Sequence, residues 1–530
     1  MGQYASSVTA GPAGAITALS PSSKSMGVIW TGSDDGFINV TVNGGTSWKN
    51  VTPPSIKPWT RIFNIEAGHF DTQTAYAAAN TLRLDDLNPH FFRTHDGGAT
   101  WTEINAGIAS GAVSNSIRED PKVKGLLYAA TDLQVWVSMD DGDHWQTLKN
   151  DMPAISVRDI EIKDDSVCKC ADLVAGTHGR GFWILDNVTP LRQAAQALAA
   201  KTASKAYLYA PMPAIRVRFG TNEPTPWPPE MPAGENPLPG GLIDYYLAND
   251  ASGPVTLEIL NAAGKVVRTY TSKDSVLTPH PAIDMAAYDK VCQKNPSAPY
   301  CGLPLYWPAQ PLVVSAKAGM HRFSWDLHMD PVDPLDLVPL GDDDAGGAVP
   351  HRTYPIVNAP WAPAGKYTVR LSVDGQKVSQ PMTLHIDPRV KTSAASLAQM
   401  NALSMEMYGG AVAAHKAFGE ARGAMQMLSE MSGANVDALK AQLEPLSPSG
   451  APQRARGGRR GGRGGGAGTS GPSLETVSNM LLAAAMSMQA ADTPPTAVQI
   501  AACAAARKAS ADVMPKWTKV KAALAALPKR

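Results

Sequence analysis

The sequence predicts a mainly β protein with an α-helical C-terminus, and three observations carry that expectation. One phrase recurs three times in the first third of the chain, a polar turn with an Asx residue and glycine followed by tryptophan. The copies are Asn43-Gly44-Gly45-Thr46-Ser47-Trp48, Asp96-Gly97-Gly98-Ala99-Thr100-Trp101 and Asp140-Asp141-Gly142-Asp143-His144-Trp145. Their spacing, about 45–50 residues, is that of one four-stranded propeller blade. Beyond them, short alternating segments punctuated by turn signals read as an immunoglobulin-like β-sandwich. From residue 393 onward, alanine, methionine and leucine at helical spacing read as a helical hairpin.

Each copy of the phrase has a hairpin's logic. The Asx side chain bonds its own backbone to start the turn, and the following glycine takes the positive φ that branched residues resist. The tryptophan then supplies an apolar plate to wedge between neighbouring sheets. Asn43, Gly45 and Trp48, then Asp96, Gly98 and Trp101, then Asp140, Gly142 and Trp145 are the residues expected to do this. Short buried strands precede the turns at residues 28–34, 75–80 and 127–132, and a fourth version at 173–186 runs strand, glycine turn, strand, and stops. Residues 1–190 therefore hold three full units and part of a fourth. Rings of such sheets close with four to eight blades. The count leaves a sheet edge open to pairing, so a further propeller segment from the same or another chain is the expected partner.

A short alanine-rich helical connector follows at 191–204. Residues 205–390 read as an immunoglobulin- or FlgD-like sandwich with a long proline-rich insertion at about 272–316. Leu397, Met400, Leu403, Met407 and Ala411 mark the apolar stripe of a helical region at 391–446. Residues 447–473, rich in glycine and arginine, have nothing apolar to bury and read as a disordered linker. A last helical region occupies 474–530.

Lysine plus arginine equals aspartate plus glutamate, at 47 each. That balance gives no global pull toward nucleic acid or anionic membrane, and the Arg-Gly run has no aromatic residue with which to stack bases. No nucleic-acid partner, transmembrane segment, cofactor or metal site is expected, and residues 1–7 show no signal peptide. Cys292 and Cys301 bracket a short proline-containing loop that a disulfide could close in an oxidising compartment. Cys168 and Cys170 have no second pair to complete a zinc site and read as ordinary thiols, and Cys503 reads as helix packing.

Asn43 stands where the other turns carry Asp96 and Asp140. An amide serves neither as acid nor as nucleophile, so the shared role of the three is turn-making. Glycoside hydrolysis needs two carboxyls about 5–9 Å apart across one bond. The weak candidates outside the turns are Asp85, Asp86, Glu119 and Asp120, but neighbours in an extended segment point apart, so no catalytic residue is assigned. His69, Arg83, Arg118, His178 and Arg180 are the polar candidates for binding.

With these residues in view, the repeats resemble Asp-box (bacterial neuraminidase repeat) propellers. The segments Arg83-Leu84-Asp85-Asp86, Arg118-Glu119-Asp120-Pro121, Val137-Ser138-Met139-Asp140-Asp141-Gly142 and Gly176-Thr177-His178-Gly179-Arg180-Gly181-Phe182-Trp183 resemble the C-terminal half of bacterial sortilin-like proteins, often named glycosyl hydrolases. The resemblance runs from residue 15 to about 404. It implies an exported, extracytoplasmic protein, and a fragment or shortened member of a family about twice this length. The expected function is propeller-based binding of a protein, peptide or glycan. The rival is a xyloglucanase- or sialidase-like hydrolase whose site needs the absent N-terminal propeller half. Two facing carboxylates in one cleft would mark the rival.

Overall fold

A computed structural model describes residues 14–150, 152–165, 170–200, 205–218, 240–274, 312–332, 359–448 and 472–527, with a few single positions between 238 and 293. The Cys292–Cys301 pair, most of the proline-rich insertion and the Gly/Arg-rich linker lie outside the described residues. The chain is mainly β with helices at its C-terminus. It divides into two units: Met1–Pro213, Pro229–Ser252 and Ala316–Arg322 form the first, and Ala214–Pro228, Gly253–Ser315 and Phe323–Arg530 the second.

The first unit opens with four consecutive antiparallel meanders. The first is β1 (Ile16–Pro21), β2 (Ile29–Ser33), β3 (Ile38–Thr41) and β4 (Lys49–Asn50). The second is β5 (Arg61–Ala67), β6 (Ala75–Asn80), β7 (Phe91–Thr94) and β8 (Thr102–Glu103). The third is β9 (Ser114–Glu119), β10 (Leu127–Thr131), β11 (Val135–Ser138) and β12 (Gln146–Thr147). The fourth has three strands, β13 (Val157–Asp165), β14 (Cys170–Thr177) and β15 (Phe182–Leu185), after which the chain enters α1 (Thr189–Ala199).

Register makes the repeats comparable position by position. Leu19 pairs with Thr31, Ile65 with Ala77, Ile117 with Ala129 and Ile160 with Ala175, so these four first-strand residues are equivalent. Side chains alternate across each sheet, and successive sheets stack through the resulting apolar faces. Trp30, Ile38 and Val40 of the first meet Ile65, Ala77 and Phe92 of the second. Tyr76 and Phe91 meet Ile117, Trp136 and Trp145 of the third. Tyr128, Val135 and Val137 meet Ile160, Leu173 and Ala175 of the fourth, where Leu191 and Ala195 of α1 join the cluster. Each such valine, leucine, isoleucine or phenylalanine contributes about 1.5–3 kcal/mol on burial.

The turns repeat their hydrogen bonds as they repeat their sequence. Asn43, Asp96 and Asp140 accept, through Oδ1, the backbone N–H four residues on at 3.0, 2.8 and 2.9 Å. The Thr41, Thr94 and Ser138 hydroxyls accept the N–H of Gly45, Gly98 and Gly142 at 3.0, 3.0 and 2.9 Å. Those glycines have φ of 91°, 82° and 93°.

The remaining strands are β16 (Ala206–Leu208), β17 (Ala214–Arg216), β18 (Gly241–Leu247), β19 (Thr256–Asn261), β20 (Val266–Thr271), β21 (Gly319–Trp325), β22 (Gly365–Val373) and β23 (Gln376–Ile386). They form a three-stranded sheet ordered β16-β18-β21 and a five-stranded sheet ordered β17-β23-β22-β19-β20. In the second unit α2 (Ala394–Ser429), α3 (Ala434–Leu443), α4 (Leu474–Met486) and α5 (Ala497–Ala525) bury one core that includes Met400, Met407, Leu481 and Trp517. Hydroxyl caps start three of them: Ser393, Ser473 and, in a full capping box with Gln499, Thr496. One thiol expectation is corrected. Cys170, the first residue of β14, is disulfide-bonded to a cysteine outside the described residues, whereas Cys503 is free and buried.

Candidate binding groove

The first strands of the four repeats, β1, β5, β9 and β13, run side by side and line a groove of about 720 Å³. Register places one residue of each at the same level: Ser20, Glu66, Arg118 and Glu161, opposite Trp30, Tyr76, Tyr128 and Val174. The repeat thus delivers one polar side chain per sheet to a shared axis. Phe63, His69, Glu119, Arg158 and Asp159 complete the chemistry of the wall.

Arg118 is the hub. Its guanidinium bonds Glu66 Oε2 at 3.3 Å, Asp159 Oδ1 at 3.0 Å and the carbonyl of Ile160 at 3.0 Å. This joins the second, third and fourth sheets through one side chain, a bridging geometry suited to arginine's planar fork. Glu66 holds His69 Nε2 with its other oxygen, at 3.0 Å. That bond raises the histidine's pKa above its ordinary value, against the opposing effect of burial.

Glu119 is 1% exposed. Its Oε2 accepts the backbone N–H of His69 at 2.6 Å and its Oε1 the Tyr76 hydroxyl at 3.4 Å. Burial lifts its pKa, with the backbone N–H of His69 pulling the other way, and burial pushes the Tyr76 phenol up as well. Tyr76 also donates to Asp141 Oδ1 at 2.7 Å, and Asp141 in turn accepts from Arg93 at 3.2 Å and meets His95 Nε2 at 2.8 Å. Glu119 therefore braces the second sheet to the third and lines the groove while almost wholly buried.

The wall keeps two solvent-facing carboxylates, Asp159 and Glu161, whose side chains are 65% and 74% exposed. Its aromatic ring is occupied. The guanidinium of Arg61 lies 4.6 Å and that of Arg158 6.0 Å from the Phe63 ring centre.

Of the sequence candidates, the structure brings His69, Arg118 and Glu119 together in this groove. Asp120, the neighbour of Glu119, points the other way and takes Arg192 Nε at 2.8 Å. Asp85 ends a short 3₁₀ turn with φ 56°, and Asp86 binds Asn88 and His90. Arg83 faces Asp34 at 3.7 Å. His178 and Arg180 lie exposed on the β14–β15 turn. Sequence reasoning missed Glu66, Phe63, Arg158, Asp159 and Glu161. Aligning the first strands of the repeats, rather than their turns, is the signal that finds them.

The His69–Glu66 pair makes a pH prediction. A histidine whose folded pKa is raised contributes stability fully below its unfolded pKa, about 6.5, and loses it as pH rises through the folded value. Chemical denaturation of the wild type and His69→Gln between pH 5 and 9 should show the wild type ahead at pH 5 and the gap closing by pH 9. A gap that widens with pH would contradict the pairing.

The chain matches no protein-family model, and no curated protein matches it. Solved structures with related folds are β-propeller proteins. A GH74 enzyme from Niastella koreensis is 13% identical, with a TM-score of 0.27, over 33% of this chain and 29% of that one. YCF48 bound to D1 peptide is 18% identical, with a TM-score of 0.26, over 33% of this chain and 51% of that one. The GH74 xyloglucanase from Xanthomonas campestris is 11% identical, with a TM-score of 0.26, over 32% and 29%. The chain thus spans 29–51% of these proteins' lengths, and the likeness is one of fold alone.

Proposed function

We propose that this chain is an extracytoplasmic binding protein whose groove on the first strands of the repeats takes an extended peptide. The observation that carries this reading is the state of the groove's side chains. Its carboxylates split into two kinds. Glu66 and Glu119 are consumed by Arg118, His69 and Tyr76 and largely closed from solvent, while Asp159 and Glu161, which also pair with Arg118 at 3.0 and 3.6 Å, keep side chains 65% and 74% exposed. A wall whose two solvent-exposed carboxylates share one arginine between them favours a peptide carrying lysine or arginine. A glycan would want a bare aromatic face for its ring, and Phe63 already carries two guanidinium groups.

The groove's own carboxylates give the hydrolase rival little support. Of the two carboxylates nearest His69, one is closed from solvent and the other is ion-paired, so among the described residues of the groove these two do not stand as a free acid and base across open space. The triplicated Asx and hydroxyl hydrogen bonds support taking the repeats as Asp boxes of the sortilin-like kind. A disulfide at Cys170 supports an oxidising compartment. Among the described residues no helix is long and apolar enough to cross a membrane.

The test is titration calorimetry of the full chain against arrays of unstructured peptides, with xyloglucan and sialoside turnover measured alongside. Lysine- and arginine-bearing peptides should bind, and Asp159→Ala/Glu161→Ala should weaken them at least about tenfold, which is ~1.4 kcal/mol. Both polysaccharide activities should sit at background. Hydrolysis that disappears in Glu66→Gln or Glu119→Gln would replace this reading with the rival.

A further inference from the structure

The positions that face the preceding sheet are covered in the second, third and fourth repeats and open in the first. Ile65, Ile117 and Ile160 are buried against the preceding sheet, but Leu19, their register equivalent, is 65% exposed. The tryptophans show the same break. Trp101 donates its indole N–H to the carbonyl of Val51 and Trp145 to that of Ile104, both at 2.7 Å. Each acceptor follows the outer strand of the preceding sheet, and Trp145 is 4% exposed. Trp48 makes no such bond and is 46% exposed. The glycines agree. A Cβ on Gly98 would meet Val51 at 2.7 Å and one on Gly142 would meet Ile104 at 2.5 Å, whereas Gly45 meets nothing nearer than its own Trp48.

We propose that the open face of the first sheet, built on Leu19, Gly45 and Trp48, is a docking surface for one more complete four-stranded repeat. The interface already made twice within the chain specifies that partner. It must present an apolar sheet face to Leu19, and a branched side chain with a free backbone carbonyl, just past its outer strand, to Gly45 and Trp48. A second copy of this chain does not meet the specification. Its last sheet has three strands and then α1, so no outer strand offers that carbonyl. The face also tolerates water until it is covered. Asn39 stands where the later repeats place Phe92, Trp136 and Trp183, opposite Thr31, Ala77, Ala129 and Ala175, and it divides the apolar surface. Leu19 also lines the end of the groove, whereas Gly45 and Trp48 do not, so the surface adjoins the groove and is read at Trp48.

The test supplies such a repeat. A duplicate of residues 61–113 is placed directly before Ile16, the register equivalent of Ser114, in place of residues 1–15. Hydroxyl-radical footprinting read by mass spectrometry then compares Trp48 with Trp145 as an internal reference. In the original chain Trp48 should label strongly. In the extended chain it should fall to the Trp145 level, and the melting midpoint should rise by several degrees, with part of that rise lost in Trp48→Phe. A second extension, carrying residues 114–156, covers the case in which the first duplicate fails to fold. Labelling of Trp48 unchanged in both would overturn the proposal. So would light scattering showing the original chain as a dimer with Trp48 already protected, which would assign the face to a second copy.

Discussion

Trp145→Ala should cost about 3–5 kcal/mol of stability, while Trp48→Ala, the same change in the same turn two repeats earlier, should cost under ~1 kcal/mol. The two residues share a sequence context, a turn and a strand position. They differ in what lies behind them. Trp145 is buried in the cluster with Phe91, Ile117 and Trp136, its ring centre 6.0 Å from that of Phe91, and it spends its N–H on Ile104. Removing it opens a large cavity and strands a carbonyl. Trp48 has no sheet behind it, so truncation exposes little that is not already wet. Chemical denaturation followed by far-ultraviolet circular dichroism checks both. Equal losses would mean that the turn itself, rather than the stacking of sheets, sets the energetics.

Gly98→Val should destabilise by about 3 kcal/mol, combining the cost of a branched residue at positive φ with overpacking. Gly98 sits at φ 82° with its N–H on Thr94, and a Cβ would fall 2.7 Å from that of Val51 in the preceding sheet. Neither partner is the free end of a long side chain, so the backbone must shift. Asp140→Asn in the third turn should change stability by under ~0.5 kcal/mol. Asn43 shows why: its Oδ1 accepts Ser47 N–H as Asp140 accepts His144 N–H, and its amide finds the Ser47 hydroxyl. Comparable damage from the two substitutions would give the carboxylate a role beyond the turn.

The parts of the fold that were legible in sequence are those governed by contacts a few residues apart. The Asx residue of the turn phrase and the glycine at positive φ form a local circuit, so Asp96 and Gly98 could be read without knowing what surrounds them. The hydrophobic stripe of α2 is local in the same sense. The groove was legible only in part. His69 and Arg118 stood out as polar residues next to strands, but Glu66, Asp159 and Glu161 look like ordinary solvent-facing positions in an alternating strand. Glu119 looked like a weak catalytic candidate and is a buried brace, a distinction that rests on Tyr76 and His69, each more than 40 residues away.

By itself, then, the sequence determined that sheets of four short strands would form in series, where each would turn, and that helices would follow. Short-range hydrogen bonding and side-chain periodicity are sufficient for that. The tertiary structure alone decided which polar residues share an axis, because only strand register and the stacking of one sheet on the next bring Glu66 and Asp159 within hydrogen-bond distance of Arg118. It also decided that three tryptophans written alike are not alike. Burial is a property of neighbours, and Trp48 is the one whose neighbour the first sheet does not provide.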